Sequence, residues 1–75
     1  MTVSFERART VKEAHEAHWL SLEGVAGVGV GRDPDGGARI VVSVAADSKE
    51  LRRRIPSEVE GVPVHLQVTG PIRPL

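Results

Sequence analysis

The stretch Gly24-Val-Ala-Gly-Val-Gly-Val-Gly31, followed by Asp33-Pro-Asp-Gly36, decides the fold of this chain. Valine at every second position is typical of a strand that buries one face. Proline and glycine within the next four residues are typical of a tight turn. The sequence therefore predicts a β-hairpin that begins with a strand at residues 25–31.

Opposite the face of Val28 and Val30, the strand carries glycine at Gly27, Gly29 and Gly31. Glycine weakens a strand interior, so its repeated use there indicates that something approaches the backbone closely. Two interpretations are open. The chain needs room for its own neighbouring side chains, or another backbone or a bulky partner lies against this face.

The length of 75 residues corresponds to one domain, which we place at residues 1–70 with an extended, proline-rich tail at residues 71–75. A domain of this size buries only about 60% of its unfolded surface, so a single copy is marginally stable. No cysteine supplies a disulfide or a thiolate ligand. Self-association is therefore expected as an additional source of stability.

Charge and hydropathy exclude several classes of partner. Ten basic and ten acidic residues give a net charge of zero, so no strong attraction to nucleic acid is expected. No apolar run is long enough to span a bilayer or to form a signal peptide. We expect a soluble, cytoplasmic protein without membrane contact.

The elements follow from periodicity and end signals. Residues 5–22 predict a first helix with Ser4 as its N-cap. The second strand is expected at residues 38–46, and a short second helix begins with Asp47 as its cap and ends at Pro56. Alternating apolar residues predict the third strand at residues 62–69.

This order, α-β-β-α-β, predicts an α+β fold, a two-layer sandwich. We expect a three-stranded antiparallel sheet with strand order 2-1-3 and both helices on one face. The expected core contains the following apolar residues: Val11, Trp19, Leu22, Val28, Ile40, Val42, Leu51, Val64 and Leu66.

Three motifs in the second half of the chain, together with the glycine run, resemble a known pattern. They are Val25-Ala-Gly-Val-Gly-Val-Gly31, Ile55-Pro56 with Gly61-Val-Pro-Val64, and Thr69-Gly-Pro-Ile72. Together they resemble a small uncharacterised bacterial domain that occurs in short stand-alone proteins and ahead of trypsin-like protease domains. The resemblance covers roughly residues 20–73 and implies an accessory or stand-alone role, without any catalytic residue.

The histidines raise the question of a metal site. His15 and His18 lie three residues apart on the first helix, with Glu16 between them, which is an acceptable spacing for two metal ligands. The same positions fall on the apolar stripe of the helix, where a packed or interfacial pair is the more common arrangement. His15 and His18 are therefore weak metal candidates, and no cofactor is expected.

Other functional motifs are incomplete. The glycine run is followed by a hairpin instead of a helix, so it lacks the geometry of a nucleotide-binding loop. Asp33 and Asp35 lack the later oxygen ligands of a calcium loop. No serine stands in a recognisable nucleophile motif, and the chain is not expected to be an enzyme.

The leading hypothesis is a non-enzymatic interaction module that forms a homo-oligomer through its open sheet face or an edge strand. The alternatives are an accessory, inhibitory or chaperone-like domain for a serine protease, and binding of a metal or small ligand by the histidines. The expected interaction residues share the open face: Gly27, Gly29, Gly31, Val41, Ser43, His65, Gln67 and Thr69.

Overall fold

The structure is a computed structural model that describes residues 2–69. The α+β class is confirmed, with two helices and a mixed sheet of four strands. In chain order the elements are α1 (Phe5–Leu20), β1 (Val25–Arg32), β2 (Ala38–Val44), α2 (Lys49–Arg54), β3 (Glu58–Val59) and β4 (Val62–Val68). The predicted tail at residues 71–75 lies outside the described residues.

The strand order is β1-β2-β4-β3, so the predicted order 2-1-3 and the all-antiparallel sheet are wrong. β1 and β2 form the expected antiparallel hairpin, but β4 pairs with β2 in parallel. The chain returns through α2, and a helical crossover joins parallel strands. Ile40, Val42 and Val44 of β2 are fully buried, which suits a central strand with a neighbour on each side.

The short strand β3 was not predicted. It forms a hairpin with β4 in which Val59 faces Val62 across a two-residue loop. Both loop residues, Glu60 and Gly61, have positive φ angles of 49° and 82°, as a type I′ turn requires. A strand of two residues is too short to show alternation, and glutamate is not a typical first residue of this turn.

Both helices pack on the same face of the sheet and share one core. α1 contributes Ala8, Val11 and Trp19. α2 contributes Leu51, and Ile55 is the C-cap residue directly after that helix. The sheet supplies the buried residues Ala38, Ile40, Val42, Val44 and Val62. The predicted core is therefore confirmed in its main members, and the remaining predicted residues, Leu22, Val28, Val64 and Leu66, are partly buried against it.

The helix starts are set by serine. The Ser4 hydroxyl accepts a hydrogen bond from the Arg7 amide at 3.1 Å, which confirms the predicted cap of α1. The cap of α2 is Ser48, whose hydroxyl accepts from the Leu51 amide at 3.3 Å, so the prediction of Asp47 is wrong. Asp47 instead binds the side chain of Arg52 at 2.7 Å, because it lies one residue too early to reach the free amides.

The Asp47–Arg52 pair should make the stability of the fold weakly dependent on pH in the acidic range. The hydrogen bond from Arg52 lowers the pKa of the Asp47 carboxyl below its ordinary value of 3.8. Because the pKa is lower in the folded chain than in the unfolded chain, the pair contributes its full stability at pH values above 3.8. This contribution is lost as the pH falls through the lowered pKa of the folded state. We expect Asp47→Asn to lower the urea midpoint slightly at about pH 6 and to match the wild type near pH 2. An equal difference at both pH values would contradict this, and Glu13→Gln on α1 serves as the control.

Candidate interaction surfaces

No helix of residues 2–69 covers the face of the sheet opposite α1 and α2. Two rows of side chains cross it from β1 through β2 to β4. One row aligns Gly27, Ser43 and Gln67, and the next aligns Gly29, Val41 and His65. We call this surface the glycine-lined face; it comprises these six residues together with Gly31 and Thr69. The structure thus brings the eight predicted interaction residues to one side of the sheet.

The space above the three glycines distinguishes between the two interpretations of the glycine run. A Cβ atom added at Gly31 would lie 2.9 Å from Cγ2 of Val41, so the chain's own packing requires glycine there. A Cβ atom added at Gly27 or Gly29 would meet nothing within 4 Å. Neither of these two glycines has a positive φ angle. Their use is therefore not explained by packing or backbone conformation within the described residues.

Arg39 also lies on this face, although it was not among the predicted interaction residues. It stands opposite Gly31 on β2, and its guanidinium lies 3.8 Å from the carboxylate of Asp33 in the hairpin turn. The Nε atom of Arg39 is buried and has no hydrogen-bond partner within residues 2–69. The alternation of β2 places Arg39 beside Val41 and Ser43, so the sequence contained the signal.

Thr69 continues the line of β4 along β2. Its amide donates a hydrogen bond to the carbonyl of Val44 at 2.9 Å, and its hydroxyl donates to the same oxygen at 3.2 Å. The side chain is exposed. Thr69 therefore lies at the end of the glycine-lined face, beside the last residue of β2.

The two outer edges of the sheet differ. On one side β3 pairs with Val62 and Pro63 at the start of β4, and the Val64 amide donates to the Ser57 carbonyl, so only residues 65–68 of that edge are uncovered within the described chain. On the other side the whole of β1 is an edge, with no proline and no charged residue between Val25 and Gly31. Among the described residues, β1 is the long unprotected edge of this protein.

The alternation of hydrogen bonds along the hairpin identifies the groups on that edge. The Asp33 amide donates to the Gly37 carbonyl at 2.7 Å, which makes this the first hydrogen-bonded pair of the hairpin. Every second pair is hydrogen-bonded in an antiparallel ladder. Gly31, Gly29 and Gly27 therefore bond to β2, whereas the amides and carbonyls of Val28 and Val30 point outward from the sheet.

The histidines do not form a shared site. His15 is partly buried, stacks on Trp19 with ring centroids 5.4 Å apart, and lies 3.1 Å from the carboxylate of Glu60. His18 is exposed, which corrects its expected place on the apolar stripe, and His65 lies on the opposite face of the sheet. Within residues 2–69 no three histidine, aspartate or glutamate side chains are grouped as metal ligands.

Glu60 also connects the far hairpin to α1. The Arg7 side chain donates a hydrogen bond to the Glu60 carbonyl at 2.9 Å, next to the contact with His15. These contacts tie the helix to the turn between β3 and β4, at the side of the sheet away from β1. They therefore fix which flank of α1 faces the β1 edge.

An open groove of about 530 Å³ lies between the α1–β1 connection, the β2–α2 connection and α2. Its two serine hydroxyls take part in the helix ends. Ser48 caps α2, and Ser21 donates to the carbonyl of His18 at 2.6 Å. Its charged residues include Glu50 and Arg54, which pair with each other at 2.9 Å. The groove therefore presents no nucleophile with an adjacent base.

None of the helices in the described part of the chain is long and apolar enough to cross a membrane. Comparison of the chain with models of protein families, with curated proteins and with solved structures gives no match. The features of the described chain that bear on function are therefore its two exposed surfaces, the glycine-lined face and the β1 edge.

Proposed function

We propose that this chain is a non-enzymatic interaction module that self-associates, with the glycine-lined face as a contact between copies. The observation that supports the proposal is the open space above Gly27 and Gly29. A strand interior loses stability with glycine. Gly27 adjoins the register shift between Val25 and Gly27, whereas Gly29 lies in regular pairing, where neither packing nor backbone conformation within the described residues explains a glycine. An approaching backbone from a second copy does explain it.

The composition of the face suits contact with a copy of itself. Val41 lies beside Gly29 at the centre and supplies apolar area, while Ser43, His65 and Gln67 supply hydrogen-bonding groups around it. Two sheets can pack face to face when their side chains leave room, and a two-fold axis presents the same patch on both sides. The net charge of zero adds no long-range repulsion between copies.

The first test is the absolute mass in solution, measured by light scattering behind a sizing column over a range of concentrations. We expect a mass above the 8.1 kDa of one chain. A mass of one chain at every concentration would overturn the proposed self-association.

The second test is Gly29→Trp, which we expect to lower the mass of the assembly while the chain stays folded. A Cβ atom at this position meets nothing within 4 Å on an uncovered face, and aromatic residues are favoured in strands, so we expect the single copy to keep its structure. In the assembly the indole would occupy the space needed by the other copy. Circular dichroism checks the fold.

The matched control is Thr10→Trp, which places the same side chain on an exposed position of α1, away from the sheet. It should leave the mass unchanged. If Gly29→Trp assembles with the same mass as the wild type, the glycine-lined face is not the contact.

A further inference from the structure

The outer edge of β1 is a second exposed feature, separate from the glycine-lined face. The outward amides and carbonyls of Val28 and Val30 have no backbone partner within residues 2–69. Proteins usually protect such an edge with lysine, proline, a short strand or a cover. β1 is eight residues long and has no proline and no charged residue between Val25 and Gly31; its register shift lies between Val25 and Gly27, so residues 27–31 form a regular edge. Such an edge is suited to pairing with another strand.

One flank of α1 runs beside this edge. Arg7 and His15 contact Glu60 at the far side of the sheet, so the opposite flank of the helix lies toward β1. Its residues recur at spacings of three and four: Phe5, Arg9, Lys12, Glu16 and Leu20, which we call the α1 flank. The contact of the Phe5 ring with the Arg32 guanidinium at 5.8 Å confirms that this flank meets the end of β1.

We propose that β1 pairs antiparallel with β1 of a second copy about a two-fold axis near Gly29, and that the α1 flanks of the two copies meet above the joined strands. The inference rests on the proposal that the chain self-associates, and it adds a second contact distinct from the glycine-lined face. Val28 would exchange hydrogen bonds with Val30 of the partner subunit, using the groups that point outward. The result is one continuous sheet of eight strands.

The spacing of the layers permits this arrangement. α1 packs mainly on β1 and, to a lesser extent, on β2. Paired strands are about 4.8 Å apart, so a helix axis that lies midway between β1 and β2 is displaced from β1 by about 2.4 Å toward β2. Two such helices related by the axis would then be about 10 Å apart, close to the distance at which helices pack.

The α1 flank is complementary to itself when reversed. α1 begins beside the end of β1, so the two-fold axis near the centre of β1 also passes near the centre of the helix. Phe5 then faces the partner's Leu20, and both side chains are nearly half exposed, at 47% and 46%. Arg9 has no ion pair within residues 2–69 and faces the partner's Glu16, which is held in place by Lys12 at 2.8 Å. Apolar ends and opposite charges therefore match a second copy of this chain.

The two contacts have different axes. An axis that joins two edges of one sheet is perpendicular to the sheet, whereas an axis that stacks two sheets lies parallel to them. Together they give four copies in two stacked sheets with the helices outside, a closed dihedral arrangement. We therefore expect the wild type to reach the mass of four chains, and a variant that blocks only the face contact to stop at two. His65→Trp is such a variant, because His65 is exposed on the glycine-lined face and lies on β4, away from the β1 edge.

The decisive experiment measures mass by light scattering in the His65→Trp background, where only the edge contact remains. Adding Arg9→Glu places an acidic side chain opposite the partner's Glu16, and we expect the mass to fall from two chains to one. Adding Glu16→Arg to that variant reverses both charges and should restore two chains. The control Arg53→Glu makes the same charge change on exposed α2 and should leave two chains.

Hydrogen exchange gives a readout that needs no substitution in the edge. The amides of Val28 and Val30 should be protected in the assembly and exchange at least tenfold faster after Arg9→Glu in the His65→Trp background. Equal protection before and after that change would contradict the pairing, because free edge amides are open to water.

The outcomes separate the two proposals. If the wild type is a single chain at all concentrations, the proposed self-association fails and the edge contact fails with it. If the wild type is a dimer that His65→Trp converts to single chains, the face contact stands and the edge contact is wrong. If His65→Trp leaves the mass unchanged and Arg9→Glu lowers it, the edge contact stands and the face contact is wrong.

Discussion

Trp19→Ala is expected to leave the chain largely unfolded at 25 °C. Trp19 is 2% exposed and lies between the buried residues of α1 and the sheet, with His15 stacked on its ring. Removal of a buried tryptophan side chain costs about 3–5 kcal/mol. A single core of this size supplies about 3–5 kcal/mol of net stability, so the loss equals the total.

The measurement for Trp19→Ala is urea or thermal unfolding followed by far-ultraviolet circular dichroism, since the variant has no tryptophan fluorescence. If part of the population folds, the melting temperature should fall by about 12 °C or more, because 1 kcal/mol corresponds to at least about 4 °C in a domain of this size. His18→Ala changes the adjacent but exposed residue and should have little effect. A Trp19→Ala variant as stable as the wild type would contradict the assignment of Trp19 to the centre of the core.

Leu51→Ala is expected to have the next largest effect, about 2–5 kcal/mol of destabilisation. α2 has six residues, and a helix of this length does not form in water without tertiary contacts. Leu51 is 6% exposed and is the buried residue of α2 itself; Ile55 follows directly after the helix. The loss of Leu51 should therefore release α2 and open the core above β2.

Two readouts test Leu51→Ala: the free energy of unfolding, and the exchange of the Arg52 and Ile55 amides, which donate to the carbonyls of Ser48 and Leu51. Both amides should lose protection. Glu50→Ala keeps the burial and removes only an exposed pair with Arg54, so it should change stability by less than about 0.5 kcal/mol. If the two variants unfold at the same urea concentration, α2 is not anchored by Leu51.

The two exposed surfaces follow from how the helices are used. Both helices lie on one face of the sheet, so the other face has no cover from residues 2–69. β4 pairs with β2, so β1 becomes an outer strand along its whole length. A small domain that leaves a face and an edge open in this way gains stability when copies associate.

Much of the local structure was predictable from the sequence. The valine alternation and the Asp33–Gly36 turn gave the hairpin, Ser4 gave the start of α1, and Pro56 gave the end of α2. These signals are local, because alternation, capping and proline act within a few residues. The residues of the glycine-lined face also follow from alternation alone, once each strand is recognised.

The pairing of strands was decided by tertiary structure. Nothing in the residues of β4 distinguishes pairing with β1 from pairing with β2. Which of the two strands it pairs with depends on where the α2 connection passes over the sheet and on which strand becomes central, with a neighbour on each edge. The hairpin of β3 depends on positive φ angles at Glu60 and Gly61, which an Asn-Gly pair would have signalled more clearly. The contacts of Glu60 with Arg7 and His15 join residues more than forty positions apart, beyond the reach of any periodicity.

The sequence by itself determined that Gly27, Gly29 and Gly31 share one face, because side chains alternate along a strand. Only the tertiary structure decided that Gly31 is filled by Val41 while Gly27 and Gly29 are open. The reason is that the space above a glycine depends on the rotamers of the neighbouring strand and on which face the helices cover. Both are properties of the assembled layers, and neither is encoded in the spacing of the glycines.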